Sequence, residues 1–334
     1  MLTVREIDGR GIVDAVQFLR EIAAPCEPVI LRGLVCDWPV VGAAAKSPAT
    51  LEEYLRSFGE GREVEVFFGS PAIAGKYYYA ENLNGFNFGR RRMRFAQALS
   101  AIVATKPDRE TVYLGSVPTE DHLPGFTLVN SMPLLPPSAR ARLWLGHASN
   151  VSAHYDAFEN LACVIAGARR FTLYPPQAIG KLYVGPIDNT MAGQPVSLAA
   201  SSDPDDERFP LFNEVRGLAR VADLSPGDAL FLPKLWWHKV EATAPINGLV
   251  NYWWDAFAAG PDAPYTAMLL AMITIAERPA AERDAWHAFF EHYVFRSEGH
   301  PLRHLPPMLH GLLGPLKENY GRLRAHVMQL LRGA

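Results

Sequence analysis

The spacing of apolar residues predicts a chain that changes character twice, from mixed helix and strand to a run of short strands, and then to helix. Ile12, Val16, Phe18, Leu19 and Ile22 recur near helical spacing before Pro25, so a helix is expected over 11–24. Pro28-Val-Ile-Leu-Arg-Gly-Leu-Val is a compact apolar run closed by Asp37-Trp38-Pro39 and reads as a strand. Thr50 to Phe58 reads as a second short helix. Glu63-Val-Glu-Val-Phe-Phe alternates as a half-buried strand does. Gly75 to Asn87 has loop composition, and Arg90 to Ala104 is expected to be helical.

From Thr111 onward short apolar runs with Gly and Pro between them dominate: 111–114, 141–145, 153–156, 161–166, 169–174, 228–233 and 248–254. Many short strands punctuated in this way predict a barrel or double-sheet jelly roll. The expected fold is therefore mainly β, with N-terminal α/β elements. Residues 177–222 interrupt it with Gly, Pro and Asp, including Ser201-Ser-Asp-Pro-Asp-Asp, a length typical of binding loops or lids. After Pro261 the period is helical again, with Tyr265, Met268, Leu269 and Met272, then Trp286, Phe289, Phe290 and Tyr293. The expected division is a catalytic region over 1–260 and a helical appendage over 261–334. Its apolar face suits a homodimer interface or packing on the barrel.

Composition narrows the class. With 334 residues the chain is long enough for one sizeable core, and 49% hydrophobic against 20% charged residues is the balance of a globular protein. A net charge of -3 argues against a protein built around phosphate backbones, so nucleic acid is not the expected partner. Cys26, Cys36 and Cys163 are an odd set without close spacing, which fits a reducing compartment. The charged start Met1-Leu-Thr-Val-Arg-Glu is read as no export signal, and Ala267 to Ile275 is too short to span a bilayer. A cytoplasmic protein without membrane attachment is expected.

The candidate chemistry lies in His154-Tyr155-Asp156 and His238. On a strand, alternate side chains share a face, so His154 and Asp156 would point one way and Tyr155 the other. Two imidazoles and one carboxylate hold one face of a metal and leave positions open, the arrangement that non-haem iron(II) oxygenases use. A closed zinc site would want a fourth ligand, and no cysteine pair stands near. A lone H-x-D also fits a surface pair, with His238 a satisfied core residue. The other histidines, His147 among them, lack a carboxylate at ligand spacing.

The wider pattern decides between these readings. Trp144-Leu-Gly-His-Ala-Ser-Asn-Val-Ser-Ala-His154-Tyr-Asp156, Asn160-Leu, Gly167-Ala-Arg-Arg-Phe-Thr-Leu-Tyr-Pro-Pro176, Gly227-Asp-Ala-Leu-Phe-Leu-Pro-Lys-Leu-Trp-Trp-His238 and Val250-Asn251-Tyr-Trp253-Trp follow in order. Together with Pro28-Val-Ile-Leu-Arg-Gly-Leu they resemble the cupin-like JmjC-type 2-oxoglutarate oxygenases, with most similarity to the asparaginyl hydroxylase subgroup. The resemblance covers most of residues 25–257. It implies a double-stranded β-helix in which His154, Asp156 and His238 hold Fe(II), with 2-oxoglutarate and O2 as cosubstrates.

The same resemblance assigns Arg169, where many relatives have lysine, to the far carboxylate of 2-oxoglutarate, with Tyr113 adding a hydroxyl. Arg170, one residue on, should face away. Asn160 and Asn251 match polar residues that line the pocket. Val151 stands where the subgroup often has a threonine, and Ser152 points the wrong way to replace it. Trp236, Trp237 and Trp253 are expected either to shield the metal or to pack the core. Tyr77-Tyr-Tyr79, Phe86-Asn-Phe88 and Arg90–Arg94 suit either an aromatic and basic surface for a polypeptide or an RNA, or, for the arginine run, the solvated start of a helix. The implied activity is hydroxylation of a C–H bond in a protein substrate, with succinate and CO2 released. Alternatives are a small-molecule or RNA-base hydroxylase, an N-demethylase, or a non-catalytic scaffold, whose usual signature would be a broken triad.

Overall fold

The computed structural model describes residues 2–59, 61–80, 83, 85–104, 110–187, 194–200, 202–203, 206–258 and 260–333. Of the Asp-rich stretch beginning at Ser201, residues 201, 204 and 205 lie outside this set. The chain forms two compact units, Met1–Ala256 and Phe257–Ala334.

The described strands of the first unit are, in chain order, β1 (Leu2–Thr3), β2 (Arg5–Asp8), β3 (Val29–Arg32), β4 (Glu63–Gly69), β5 (Lys76–Tyr77), β6 (Gly89–Arg94), β7 (Thr111–Pro118) and β8 (Arg140–Gly146). They continue with β9 (Ser149–His154), β10 (Glu159–Ala166), β11 (Arg169–Tyr174), β12 (Arg220–Leu224), β13 (Ala229–Leu232), β14 (Trp237–Ala242) and β15 (Asn247–Trp254). One sheet has the order β1-β12-β11-β14-β9-β5 and the other β2-β3-β13-β10-β15-β8-β7-β4-β6. These two sheets are the walls of a jelly roll.

Alternation along β10 shows how the walls are used. Ala162 and Val164 join Phe171, Leu173, Leu230, Leu232, Val240 and Leu249 in the core between the sheets. Leu161, Cys163 and Ile165 point outward, yet they too are buried, under a second core with Phe18, Leu51, Leu55, Phe95 and Leu99 from the N-terminal helices. The centre of the nine-stranded sheet, at β10 and β13, is thus covered on both faces. This is why β10 and β13 read as continuous apolar runs rather than alternating ones.

The structure departs from or adds to the sequence reading at four places. Residues 90–104 are not one helix: Gly89–Arg94 is strand β6, paired with β4 through Val64↔Met93 and Val66↔Arg91, and the helix begins at Phe95. Arginine is a good helix former, so local preference favoured the wrong state, whereas the buried period starts only with Phe95, Ala98, Leu99 and Ile102. The strand at 153–156 is displaced to Ser149–His154, which leaves Asp156 in the following loop. Pro39–Lys46 forms a further helix, with proline in its first turn. The interruption at 177–222 ends in strand β12, and its described part has a core of its own: Ala178, Leu182, Ala199, Phe212 and Val215 pack with Tyr155, Tyr174 and Trp237.

In the second unit the helical period produces helices over Pro264–Ile275, Ala280–Phe290 and Leu316–Gly333. No helix among the described residues is long and apolar enough to cross a membrane.

Candidate metal and cosubstrate site

The antiparallel pairing of β9 with β14 sets His154 directly opposite His238, their ring centroids 4.2 Å apart. Between His238/Val240 on β14 and His154/Val151 on β9 the register shifts, so β9 carries one extra residue and bulges. The bulge is why Val151 and His154, three positions apart, both line the pocket, while the buried Ser152 hydroxyl has no partner among the described residues.

Each histidine is oriented through its other nitrogen. His154 Nδ1 lies 2.9 Å from the Ser152 carbonyl and His238 Nδ1 lies 3.0 Å from that of Trp236. A carbonyl only accepts, so both Nδ1 atoms carry the proton and both Nε2 lone pairs are left for a metal. Burial, reinforced by the adjacent His154 ring, pushes the pKa of His238 down to about 4 and keeps it neutral at ordinary pH.

Asp156 is directed by hydrogen bonds instead of strand alternation. Its carbonyl accepts from the Leu235 amide at 2.9 Å, which ties it to the turn before β14. Its Oδ2 accepts from Trp253 Nε1 at 3.1 Å and from Asn160 Nδ2 at 3.3 Å. A relay stands behind Asn160: Asn251 Nδ2 donates to Asn160 Oδ1 at 3.2 Å, and Trp144 Nε1 donates to Asn251 Oδ1 at 2.6 Å. The ligand atoms of His154, Asp156 and His238 all lie within 4.8 Å of one another, the one such cluster of three among the described residues. The donor set fits a divalent iron bound on one face.

Arg169 opens β11 after a tight turn at Gly167, where φ is +74° and an added Cβ would sit 2.3 Å from Asn247 Oδ1. That oxygen also accepts the Ala168 amide, so Asn247 and Gly167 together fix where β11 starts. Arg169 is 4% exposed, and its Nε and one terminal nitrogen have no hydrogen-bond partner among the described residues. A buried guanidinium left with open donors is costly, and a carboxylate matches its fork. Burial pushes the hydroxyl pKa of neighbouring Tyr113 up, opposed by the Arg169 charge. Arg170, on the opposite face and 54% exposed, is held bidentately by Asp223 at 2.7 and 3.0 Å.

All seven residues singled out from the sequence, His154, Asp156, His238, Tyr113, Asn160, Arg169 and Asn251, line one pocket. Its remaining walls include Phe67, Tyr77, Phe88, Trp144, Phe171 and Leu249. Two readings shift. Trp236 and Trp237 pack in the cores and do not line the pocket, while Trp253 does. Tyr77 and Phe88 belong to the pocket wall instead of an outer recognition surface. Trp144 and Trp253 as donors to the polar relay were not foreseen, because an indole N–H has no signature beyond the tryptophan itself.

A jelly roll that brings two histidines and a carboxylate together in one pocket is the architecture of a cupin-type protein, with a donor set suited to a single metal ion. The family model described as "Cupin-like domain" matches residues 15–260, and the chain belongs to that family. Jumonji C domain-containing protein 5 of Drosophila melanogaster is 36% identical over 36% of this chain and 29% of its own length. Human HSPB1-associated protein 1 is 31% identical over 43% of this chain and 30% of its own. Lysine-specific demethylase JMJ30 of Arabidopsis thaliana is 24% identical over 76% of this chain and 56% of its own. These relatives place the chain with the JmjC-type members of the family, although it spans less than a third of the first two proteins.

Proposed function

We propose that this protein is an Fe(II)- and 2-oxoglutarate-dependent oxygenase that hydroxylates a side chain of a polypeptide substrate. The observation that carries the reading is the buried Arg169, with open donors, in the same pocket as the triad. His154, Asp156 and His238 would hold the iron, and Arg169 with Tyr113 would grip the far carboxylate of 2-oxoglutarate. Bound iron and cosubstrate supply the oxidation: O2 is divided between succinate, formed with loss of CO2, and the hydroxyl placed on the substrate carbon.

The chain's own residues do the positioning. Trp253 and Asn160 fix one oxygen of Asp156, the two carbonyls fix the imidazoles, and Phe171, Val240 and Leu249 give the pocket that holds the triad and Arg169 an apolar lining. Resemblance to asparaginyl hydroxylases supports a protein substrate. Lysine-specific demethylases among the relatives support a second reading, in which the carbon attacked is an N-methyl group and formaldehyde leaves.

Calorimetry under anaerobic conditions tests the cosubstrate claim. With Mn(II) as a redox-silent probe, 2-oxoglutarate should bind wild type, and Arg169→Ala should retain the metal but lose most of the cosubstrate affinity. Equal 2-oxoglutarate affinity in the two would overturn the assignment. On the helices of the second unit, Ile273 is 82% exposed and Phe289 and Phe295 are exposed with it, which supports a homodimer through that unit. A concentration-independent monomer in light scattering would remove it.

A further inference from the structure

The nine-stranded sheet ends on β6, whose sequence Gly89-Arg-Arg-Arg-Met-Arg94 places four arginines in six residues. Every residue of β6 except Met93 is exposed. Counting Arg62 just before β4, five cations stand there against the two carboxylates Glu63 and Glu65. Arg90 reaches Glu65 at 3.8 Å, while Arg91, Arg92 and Arg94 form no ion pair among the described residues.

The direction of the backbone can be worked out. Phe95 donates its amide to the Arg62 carbonyl, continuing the ladder toward β4. Successive peptide groups of a strand face opposite ways, so Met93 and Arg91 also turn their N–H and C=O to β4, whereas Arg92 and Arg94 turn theirs outward. The Arg94 amide is taken by Gln97 Oε1 at 3.3 Å. The outward groups of Arg92 have no main-chain partner among the described residues.

The strand also starts at the pocket. The Arg90 guanidinium lies 5.1 Å over the ring of Phe67 and 5.8 Å over that of Phe88, and both rings line the triad cavity. At ~3.3 Å per residue β6 then runs about 13 Å outward to Arg94.

We infer that the β6 edge is a docking strand for an extended, acidic polypeptide segment, which adds to the sheet and is led along it to the triad pocket. The side chains of Arg90, Arg92 and Arg94 share one face, so carboxylates at alternate positions of the incoming segment meet them in register, while Arg92 supplies main-chain hydrogen bonds. A second copy of this chain does not fit, since β6 against β6 would set arginine against arginine. A nucleic acid would use the charge but leave the strand's main-chain register without a role. The proposal names the substrate class for the oxygenase reading and rests on that reading only for what happens inside the pocket; the docking itself stands alone.

Fluorescence polarisation with a labelled peptide of alternating glutamate and valine tests it, alongside its lysine counterpart, a copy N-methylated at alternate residues, and a single-stranded oligothymidylate. The acidic probe should bind best and the N-methylated copy should fail. Arg92→Glu/Arg94→Glu should weaken the acidic probe by roughly tenfold or more. Arg92→Pro should bind it more weakly than Arg92→Ala, because proline removes the outward N–H at an edge position that tolerates it. Unchanged thermal midpoints and unchanged 2-oxoglutarate binding keep these variants interpretable. Equal affinity for the N-methylated probe, indifference to the Arg92 and Arg94 changes, or tighter binding of the oligothymidylate would each overturn docking. Loss of 2-oxoglutarate binding in wild type with edge-dependent peptide binding intact would sink the oxygenase reading and leave docking standing.

Discussion

Trp253→Phe isolates the hydrogen bond that orients the carboxylate ligand. The substitution keeps an aromatic ring beside the pocket but deletes the N–H that reaches Asp156 Oδ2 at 3.1 Å. A hydrogen bond to a charged acceptor contributes about 1.5–3 kcal/mol, and each 1.4 kcal/mol is a factor of ten in affinity. If that energy is expressed as ligand orientation, metal affinity falls roughly 10- to 100-fold, the range expected when a supporting contact behind a metal ligand is lost. Asn160 donates to the same oxygen from 3.3 Å, so Trp253→Phe and Asn160→Ala should be coupled: the second removal costs more than the first, since the carboxylate is then free to rotate. Anaerobic calorimetry with Mn(II) on wild type, both single variants and the double variant reads all four terms. Metal affinity in Trp253→Phe within twofold of wild type, with the fold intact, would refute the claim that the indole positions Asp156.

Other consequences follow from the same geometry. Arg169→Met should raise the thermal midpoint of the metal-free protein while abolishing 2-oxoglutarate binding, because it removes a buried charge with open donors; a lower midpoint would show that Arg169 is satisfied without a ligand. Arg170→Ala, on the exposed face, should leave 2-oxoglutarate affinity unchanged, and a loss there would reverse the assignment of the two arginines. Burial lowers the pKa of His147, whose Nδ1 accepts the Val112 amide at 3.0 Å, so the folded state resists a proton that the unfolded chain takes up near pH 6.5. Stability should therefore fall as pH drops below about 6.5, and His147→Gln should flatten that limb in denaturant titrations; an unchanged slope would contradict it.

The triad was legible because its residue types are rare in combination and its neighbours are specific. Strand alternation does not place Asp156, which lies beyond β9 and is aimed by the nearby Asn160 together with Trp253 and the Leu235 amide, both remote in sequence. That Arg169 faces the pocket and Arg170 faces away could be read from alternation, because β11 is regular. The bulge in β9 was not legible: it depends on the register with β14, which no local pattern in Ser149–His154 encodes. β6 failed for a similar reason, its arginines favouring helix while pairing with β4 imposes strand. The pocket walls from Phe67, Tyr77 and Phe88 required the tertiary fold, since each sits among residues that also read as surface or loop.

The central claim is that one pocket holds iron(II) and 2-oxoglutarate together. Anaerobic titration of the iron(II)-loaded protein with 2-oxoglutarate, followed through the weak visible metal-to-ligand charge-transfer band, tests it most directly. The band should appear in wild type, be absent in His238→Ala, and require far more 2-oxoglutarate in Arg169→Ala. Folded wild-type protein that binds iron(II) yet gives no band at saturating 2-oxoglutarate would contradict the account and leave a metal-binding cupin without this cosubstrate.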